Sequence, residues 1–289
     1  MRPMTSSPAA PAPAPSSVAA AHSSDGTAIA YRELGDPAAR PLVLIHGWAQ
    51  SSSSWGTELL SELAQRFRVV AIDLRGHGHS GVAESGYDSP QQWADDVEAV
   101  LDSAGIGEDA GAIVLGWSYG GVVVSDYLAS RGEGRIAGIV LCGAVTSLSR
   151  SAGGAIGPAM KEVTSGGAFD EKPSVALAAF TSFGNAMMRS GSGPDSQRIL
   201  GLSLATPPAV RQKLLTRRVD NDETLRGLSV PALVIHGAHD GVVLPSAGQA
   251  NAEMIPGGRY VEFGDSAHAP FLEETPRFLA ELDDFAASL

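Results

Sequence analysis

Hydrophobic residues are grouped along the chain in short continuous runs, and few of these runs alternate with polar residues. The clearest lie at 41–45, 69–72, 112–115, 136–141, 232–235 and 260–263. Short, non-alternating apolar runs are typical of strands that are buried on both faces of a parallel sheet. Segments with helical spacing separate them, at 55–67, 90–104 and 119–129. This alternation of strand and helix predicts an α/β fold with a mostly parallel central sheet flanked by helices.

The amino-terminal end of the chain departs from this pattern. Residues 27–34 predict an edge strand that ends at a turn over Gly35–Pro37. Before it, residues 1–21 consist almost entirely of Ala, Pro and Ser. Such a composition cannot bury enough apolar surface to offset the entropy lost on ordering, so we expect a disordered tail there.

The alternation is interrupted once, between the strands at 136–141 and 232–235. Residues 149–227 are rich in Ser, Gly, Ala and Met, and this stretch is much longer than an ordinary crossover connection. We interpret it as a mainly helical cap above the sheet, inserted after the sixth strand position into a core formed by 22–148 and 228–289. Partial disorder in its middle, around Ser190–Pro194, is the alternative.

Composition narrows the class of protein. The chain has 289 residues, 44% of them apolar, and its 32 acidic and 20 basic residues give a formal net charge of −12. The negative charge argues against nucleic acid and anionic membranes as partners. No apolar run approaches the roughly 18 residues that would span a bilayer. We therefore expect a cytoplasmic enzyme, with export through a weak signal as the alternative.

A serine stands at a glycine-rich junction between one apolar run and the helical segment that follows it. The stretch Gly116-Trp-Ser-Tyr-Gly120 fits the pattern G-x-S-x-G between a strand and a helix. Glycines on both sides permit a sharp, strained turn that projects Ser118 from the carboxyl edge of the sheet. The pattern favours a nucleophile. The alternative is a glycine-rich connection that contains an incidental serine.

A serine nucleophile needs a base, and the base needs an orienting carboxylate. Asp240 and His268 lie in loops that directly follow two predicted strands, so both are placed at the same sheet edge as Ser118. Asp265 is a rival for the carboxylate, although it is close to His268 in sequence. The order Ser118, Asp240, His268 predicts a catalytic triad.

Further motifs reveal a family resemblance. His46-Gly-Trp48 follows the strand at 41–45, and Asp73-Leu-Arg-Gly-His-Gly-His-Ser80 matches the loop pattern D-x-R-G-x-G-x-S. With the serine turn and the triad order, these motifs resemble serine-nucleophile α/β-hydrolases, among them the cofactor-free esterases grouped with the non-haem chloroperoxidases. The resemblance runs from about Thr27 to Phe285, except in the insertion.

The resemblance implies the remaining parts of a hydrolytic site. In the family, two backbone N–H groups hold the oxyanion, and the matching residues here are Trp48 and Tyr119. His46 is expected to shape the first of these loops through hydrogen bonds. No metal, flavin or nucleotide is implied. One alternative is that His46 acts as the base. Another is a metal site, because imidazole and carboxylate groups at short spacing can bind zinc. Its ligands would be His236, His239 and Asp240, or else His77 and His79.

Aromatic residues near the serine suggest the kind of substrate. Trp48, Trp117 and Tyr119 are expected to line an apolar pocket. Five residues of the insertion either join that pocket or pack the cap onto the sheet: Phe169, Phe180, Phe183, Met187 and Met188. Charged residues are sparse there, which favours an uncharged, moderately hydrophobic ester.

The predicted function is hydrolysis of a small to medium carboxylic ester through an acyl-enzyme. Lactone hydrolysis, perhydrolysis, carbon–carbon hydrolysis and cyanohydrin cleavage are compatible with the same triad, because these reactions differ in groups that the insertion supplies. A binding protein that holds a small ligand under the cap is the alternative from another class. The single cysteine, Cys142, lies in an apolar run and is expected to be a buried hydrophobic residue.

Overall fold

The computed structural model describes residues 18–148 and 155–289 and contains an eight-stranded sheet. Its strands are β1 (Val18–His22), β2 (Ala28–Leu34), β3 (Pro41–Ile45), β4 (Arg68–Ile72), β5 (Ala112–Trp117), β6 (Ile136–Cys142), β7 (Ala232–Gly237) and β8 (Arg259–Phe263). The spatial order is β1-β2-β4-β3-β5-β6-β7-β8. The β1–β2 and β2–β4 pairs are antiparallel, and the other pairs are parallel. The carboxyl ends of β3 to β8 therefore share one edge.

Burial explains the hydrophobic runs. Every residue of the central strands β3, β5 and β7 is buried, whereas the outermost strands β1 and β8 are largely exposed or half-buried. A central strand contacts helices on both faces, so it has no solvent face on which polar residues would be favoured. The sheet is thus mostly parallel, as the pattern predicts.

Eleven α-helices accompany the sheet in the described residues. They are α1 (Thr57–Ala64), α2 (Pro90–Ser103), α3 (Gly120–Arg131), α4 (Pro158–Ser165), α5 (Pro173–Met187), α6 (Pro194–Ala205), α7 (Pro208–Thr216), α8 (Asp222–Arg226), α9 (Pro245–Met254), α10 (Pro270–Glu273) and α11 (Thr275–Ala287). Helices α4 to α8 lie in the insertion. Residues 149–154, at its start, lie outside the described residues.

The sequence marks several helix starts. Pro90 occupies the first turn of α2, where a missing N–H costs nothing, and the side chain of Ser89 accepts a hydrogen bond from the Gln92 amide at 3.3 Å. Gly56, with φ of 74°, separates α1 from a short 3₁₀ turn at Ser52–Trp55. The single helix predicted over 55–67 is therefore wrong at its start: the chain changes direction at Gly56.

Two predictions at the amino-terminal end need correction. The sequence predicts a disordered tail that includes residues 18–21, but these residues form part of β1. Strand β1 pairs with β2, with Val18 opposite Arg32 at one end and His22 opposite Ala28 at the other. Residues 1–17 lie outside the described residues. Strand β2 is consequently not an edge strand, since β1 covers its free side. Backbone pairing to a neighbour compensates for the poor hydrophobicity of β1, and this cannot be read from its own composition.

A buried ion pair joins the cap to the core. Arg217, which follows α7, contacts Asp126 of α3 with 2.6 Å between Nη2 and Oδ2, and both side chains are 0% exposed. Arg217 Nη1 also donates to the Tyr119 hydroxyl at 2.9 Å, and Asn221 donates to the other oxygen of Asp126. With these hydrogen bonds the two charges are buried and partnered. The cap is thereby held against the residue that follows Ser118.

Candidate active site

Ser118 lies at the turn between β5 and α3, and its backbone has the strained conformation expected from the sequence. Its φ is +55°, a value that is uncommon for a residue with a side chain. The flanking glycines are required by contact distances. A Cβ at Gly116 would lie 2.7 Å from the backbone of Gly120, and one at Gly120 would lie 2.2 Å from the carbonyl oxygen of Ile45. The turn therefore needs both glycines.

Replacing Gly120 by alanine is expected to destabilise the protein by about 3 kcal/mol or more, because the added methyl group meets a backbone carbonyl that cannot move aside. Gly201 is the control, because it lies exposed in α6 and a Cβ at this position would have no atom within 4 Å other than those of the adjacent helix backbone. Gly201→Ala is expected to stabilise the protein by up to about 1 kcal/mol through helix propensity. Urea unfolding of the two variants measures both effects. Equal stabilities would contradict the steric account of the turn.

His268 and Asp240 meet as the sequence predicts. His268 Nδ1 lies 2.7 Å from Asp240 Oδ2, and both side chains are buried. Asp240 Oδ1 accepts hydrogen bonds from the backbone amides of Val242 and Val243, at 2.8 and 2.9 Å. The loop after β7 thus fixes the carboxylate, and the carboxylate fixes the imidazole ring.

The ionisation of Asp240 follows from its neighbours. Burial alone would raise the pKa of this carboxyl, but His268 and His236 outweigh burial and hold the pKa below its ordinary value. An ionised carboxylate only accepts hydrogen bonds, so Nδ1 of His268 must carry a proton. In the neutral ring, Nε2 of His268 then has a free lone pair that can accept a proton.

His236 has a position that the sequence did not suggest. Its Nε2 lies 3.2 Å from Asp240 Oδ2 and 3.0 Å from the carbonyl oxygen of Val243. Both neighbours are acceptors, so Nε2 donates and His236 acts as a second donor to the carboxylate of Asp240. Its neighbour in the proposed metal cluster, His239, is exposed and lies outside this contact. The four-residue spacing of His236 and Asp240 was the available signal.

Two of the alternative residues, Asp265 and His46, occupy other positions. Asp265 is exposed and pairs with Arg189 at 3.3 Å, so it does not orient His268. His46 is fully buried, with Nδ1 2.8 Å from the carbonyl oxygen of Gly47, and its Nε2 accepts from the Leu74 amide at 3.0 Å. Burial lowers the pKa of His46. It therefore shapes the loop after β3, as expected, and is not positioned as the base.

Ser118 and His268 line one cavity beneath the cap. Its empty volume is ≈ 460 Å³, which includes space open to solvent, and little of that space is wide enough to admit a water molecule, so the cavity is narrow. The lining is predominantly apolar: Gly47, Trp48, Gln50, Trp117, Ser118, Tyr119, Val145, Leu148, Ile156, Met160, Phe183, Met187, Leu215, Val242, Val243 and His268. Among the described residues, no hydrogen bond within 3.5 Å links Ser118 Oγ to His268. Such bonds often form fully only when substrate is bound.

The amides of Trp48 and Tyr119 are available beside Ser118. Over 18–148 and 155–289, neither of these two N–H groups has a hydrogen-bond acceptor in the protein. Gly47, which precedes Trp48, would place a Cβ 2.9 Å from the Cβ of Ser118, so this loop passes directly beside the serine. Two backbone donors without an acceptor therefore lie in the segments next to Ser118.

The cap supplies part of the site. The backbone amide of His268 donates to the carbonyl oxygen of Met187 in α5, at 3.0 Å. Phe183 and Met187 line the cavity, and Phe169, Phe180 and Phe183 pack against the ring of Trp48. The insertion thus does both things that the sequence left open, since some of its large side chains line the pocket and others attach the cap.

A family comparison decides what kind of protein this geometry belongs to. The model of the Alpha/beta hydrolase family matches residues 42–282, most of the chain. The chain belongs to this family.

Individual relatives of this alpha/beta hydrolase are esterases and haloperoxidases. An esterase structure from Rhodococcus sp. ECU1013 is similar with 48% identity and a TM-score of 0.90, covering 94% of this chain and 99% of that one. A pimeloyl-(acyl-carrier protein) methyl ester esterase from Neisseria meningitidis serogroup C is 29% identical over 258 residues, 86% of this chain and 94% of the relative. A non-heme haloperoxidase from Rhodococcus erythropolis is 40% identical over 125 residues, 43% of each chain. The resemblance and fold inferred from the sequence are confirmed.

One further observation concerns membranes. Within the described part of the alpha/beta hydrolase, no helix combines the length and the apolarity that crossing a bilayer requires.

Proposed function

We propose that this alpha/beta hydrolase cleaves small to medium, uncharged carboxylic esters through an acyl-enzyme at Ser118. The observation that carries the proposal is the hydrogen bond between Asp240 and His268, because His268 lines the same cavity as the strained Ser118. The esterase names of full-length relatives support the same reaction class.

The first half of the proposed reaction forms the acyl-enzyme. His268 Nε2 removes the proton from Ser118 Oγ as that oxygen attacks the ester carbonyl carbon. The carbonyl oxygen becomes negatively charged, and the free amides of Trp48 and Tyr119 donate to it. The tetrahedral intermediate collapses as the carbon–oxygen bond to the alcohol breaks, and His268 returns the proton to the departing alcohol.

The second half releases the acid. Water replaces the alcohol, His268 removes a proton from it, and the resulting attack on the acyl carbon again places negative charge between the two amides. Collapse frees the carboxylic acid and returns the proton to Ser118. Asp240 stays ionised throughout and stabilises the charged imidazole, which its lowered pKa supports.

The substrate class follows from the cavity. No Lys, Arg, Asp or Glu side chain is among the residues that line it in the described part of the chain. A charged acyl or alcohol group would lose its hydration without gaining a partner, so an uncharged ester is favoured. The narrow space beside Ser118 favours short acyl groups. Trp48, Trp117 and Tyr119 are proposed as contacts of the substrate.

The test is hydrolysis of p-nitrophenyl acetate, butyrate and octanoate by the wild-type protein in buffer containing a chelator. We expect turnover of the acetate and butyrate, with kcat/KM for octanoate lower by about tenfold or more because a long chain overfills the cavity. A fluorophosphonate should label the protein stoichiometrically. Absence of both turnover and labelling would overturn the proposal.

A further inference from the structure

One polar side chain of the cavity has no role in the proposed chemistry. Gln50 lies in the loop after β3, two residues beyond Trp48, and is only 1% exposed. It lines the same cavity as Ser118 and His268. Its Oε1 is buried and has no hydrogen-bond partner. Leaving a buried acceptor unpaired is costly, so such a group calls for an explanation.

The orientation of the Gln50 amide is fixed by its neighbours in α6. Nε2 donates to Ser203 Oγ at 2.8 Å and approaches the carbonyl oxygen of Ile199 at 3.4 Å. Ser203 Oγ gives its only hydrogen to that same carbonyl, at 3.0 Å, so it must accept from Gln50. Rotating the amide by 180° would bring Oε1 against the carbonyl oxygen of Ile199, which cannot donate, and would require the Ser203 hydroxyl to turn away from that carbonyl. Nε2 is therefore committed to the cap, and Oε1 is the free atom.

The other polar side-chain atoms of the lining are already paired or belong to the reaction. Trp48 Nε1 donates to the carbonyl oxygen of Arg211, and Trp117 Nε1 donates to that of His268, both at 2.9 Å. The Tyr119 hydroxyl accepts from Arg217 at 2.9 Å. Apart from Ser118 and His268, Gln50 Oε1 is the one buried side-chain nitrogen or oxygen without any hydrogen-bond partner among the described residues of this lining. Neither Ile199 nor Ser203 lines the cavity, so Gln50 lies between α6 and the cavity.

We propose that Gln50 Oε1 accepts a hydrogen bond from the substrate, and that the preferred esters carry a hydroxyl or amide N–H donor within reach of the loop after β3. This inference rests on the proposed ester hydrolysis at Ser118 and specifies its substrate class. A bound donor would satisfy the buried acceptor, whereas a purely apolar ester would leave it unpaired. A site built to receive a hydrogen bond discriminates strongly against analogues that lack the donor.

The test compares two pairs of esters that differ by a hydroxyl in place of a methyl group. The first pair varies the acyl part, p-nitrophenyl 3-hydroxybutanoate against 3-methylbutanoate. The second varies the alcohol, 2-hydroxyethyl butyrate against propyl butyrate. The ratio of kcat/KM within each pair is measured for wild type and for Gln50→Met, which keeps the length of the side chain without the acceptor. The hydroxyl also changes the intrinsic reactivity of the ester by its inductive effect. This change is the same for both proteins, so it cancels when their ratios are compared.

We expect the ratio in at least one pair to fall by about 10- to 100-fold in Gln50→Met. Ser203→Ala is the matched control, since it removes one of the two acceptors of Nε2, keeps the Ile199 carbonyl oxygen as the other, and does not alter Gln50 Oε1. It should keep the wild-type ratio.

Two results would count against the inference in different ways. Equal ratios in wild type and Gln50→Met for both pairs, with good turnover of the apolar esters, overturn the role of Gln50 alone. Failure of the wild type to hydrolyse any of the four esters overturns the proposed function, and the inference with it.

Discussion

Replacing Ser118 by alanine is expected to lower kcat/KM for p-nitrophenyl butyrate by about 10⁴-fold or more. The variant retains the cavity and both free amides but has no oxygen to form the acyl-enzyme. Its fold should be unchanged, because alanine meets the same backbone constraint at φ of +55° as serine does. Steady-state hydrolysis and fluorophosphonate labelling, measured beside a thermal unfolding curve, check both statements.

Ser125 is the matched control for this experiment. It is a buried serine on α3, and its Oγ donates within the helix to the carbonyl oxygen of Gly121, at 2.8 Å. Ser125→Ala should keep the activity and the labelling. If Ser118→Ala were as active as wild type, or were still labelled, the nucleophile would lie elsewhere.

Replacing Asp240 by asparagine is expected to reduce kcat by about 10⁴-fold. Asparagine can keep the two backbone hydrogen bonds through its carbonyl oxygen, but its NH₂ group then faces His268 Nδ1 and His236 Nε2. Both of these atoms donate to the native carboxylate. His268 can avoid this clash between two N–H donors only by carrying its proton on Nε2. In that tautomer Nε2 cannot accept the proton of Ser118.

Asp265→Asn separates the two carboxylates that the sequence offered for the triad. Asp265 is exposed and its only ion pair is with Arg189 in the described structure, so its loss should change kcat by less than about twofold. Kinetics of the two variants at the same pH make the comparison. Loss of activity in Asp265→Asn with retention in Asp240→Asn would reverse the assignment.

The central sheet was predictable from the sequence because burial on both faces leaves a direct trace in composition. Apolar runs such as Pro41–Ile45 and Ala112–Leu115 have no polar alternation, and all their residues are buried in β3 and β5. Strand β1 leaves no such trace. It lies at the edge, largely exposed, and is specified by its backbone pairing with β2. The composition of residues 18–21 therefore predicts a tail, although these residues form a strand.

Residues of the candidate site could be proposed from the sequence where a residue type is tied to a local turn. Ser118 is identified by the glycines that its strained turn requires, and Asp240 and His268 by their places directly after strands of one sheet. Gln50 and Arg217 gave no signal of this kind. Each acts through residues more than 90 positions away, Gln50 through Ser203 and Arg217 through Asp126, and such contacts exist only once the cap is docked.

The sequence by itself determined the α/β architecture, the place of the cap and the candidate triad, since periodicity, glycine requirements and the order of strand-end residues are local properties of the chain. Only the tertiary structure decided which oxygen of Asp240 each histidine contacts, which cap residues line the cavity and which buried acceptor is left without a partner. Those features depend on side chains from distant segments meeting at defined distances, because hydrogen bonding and close packing act through space and not along the sequence.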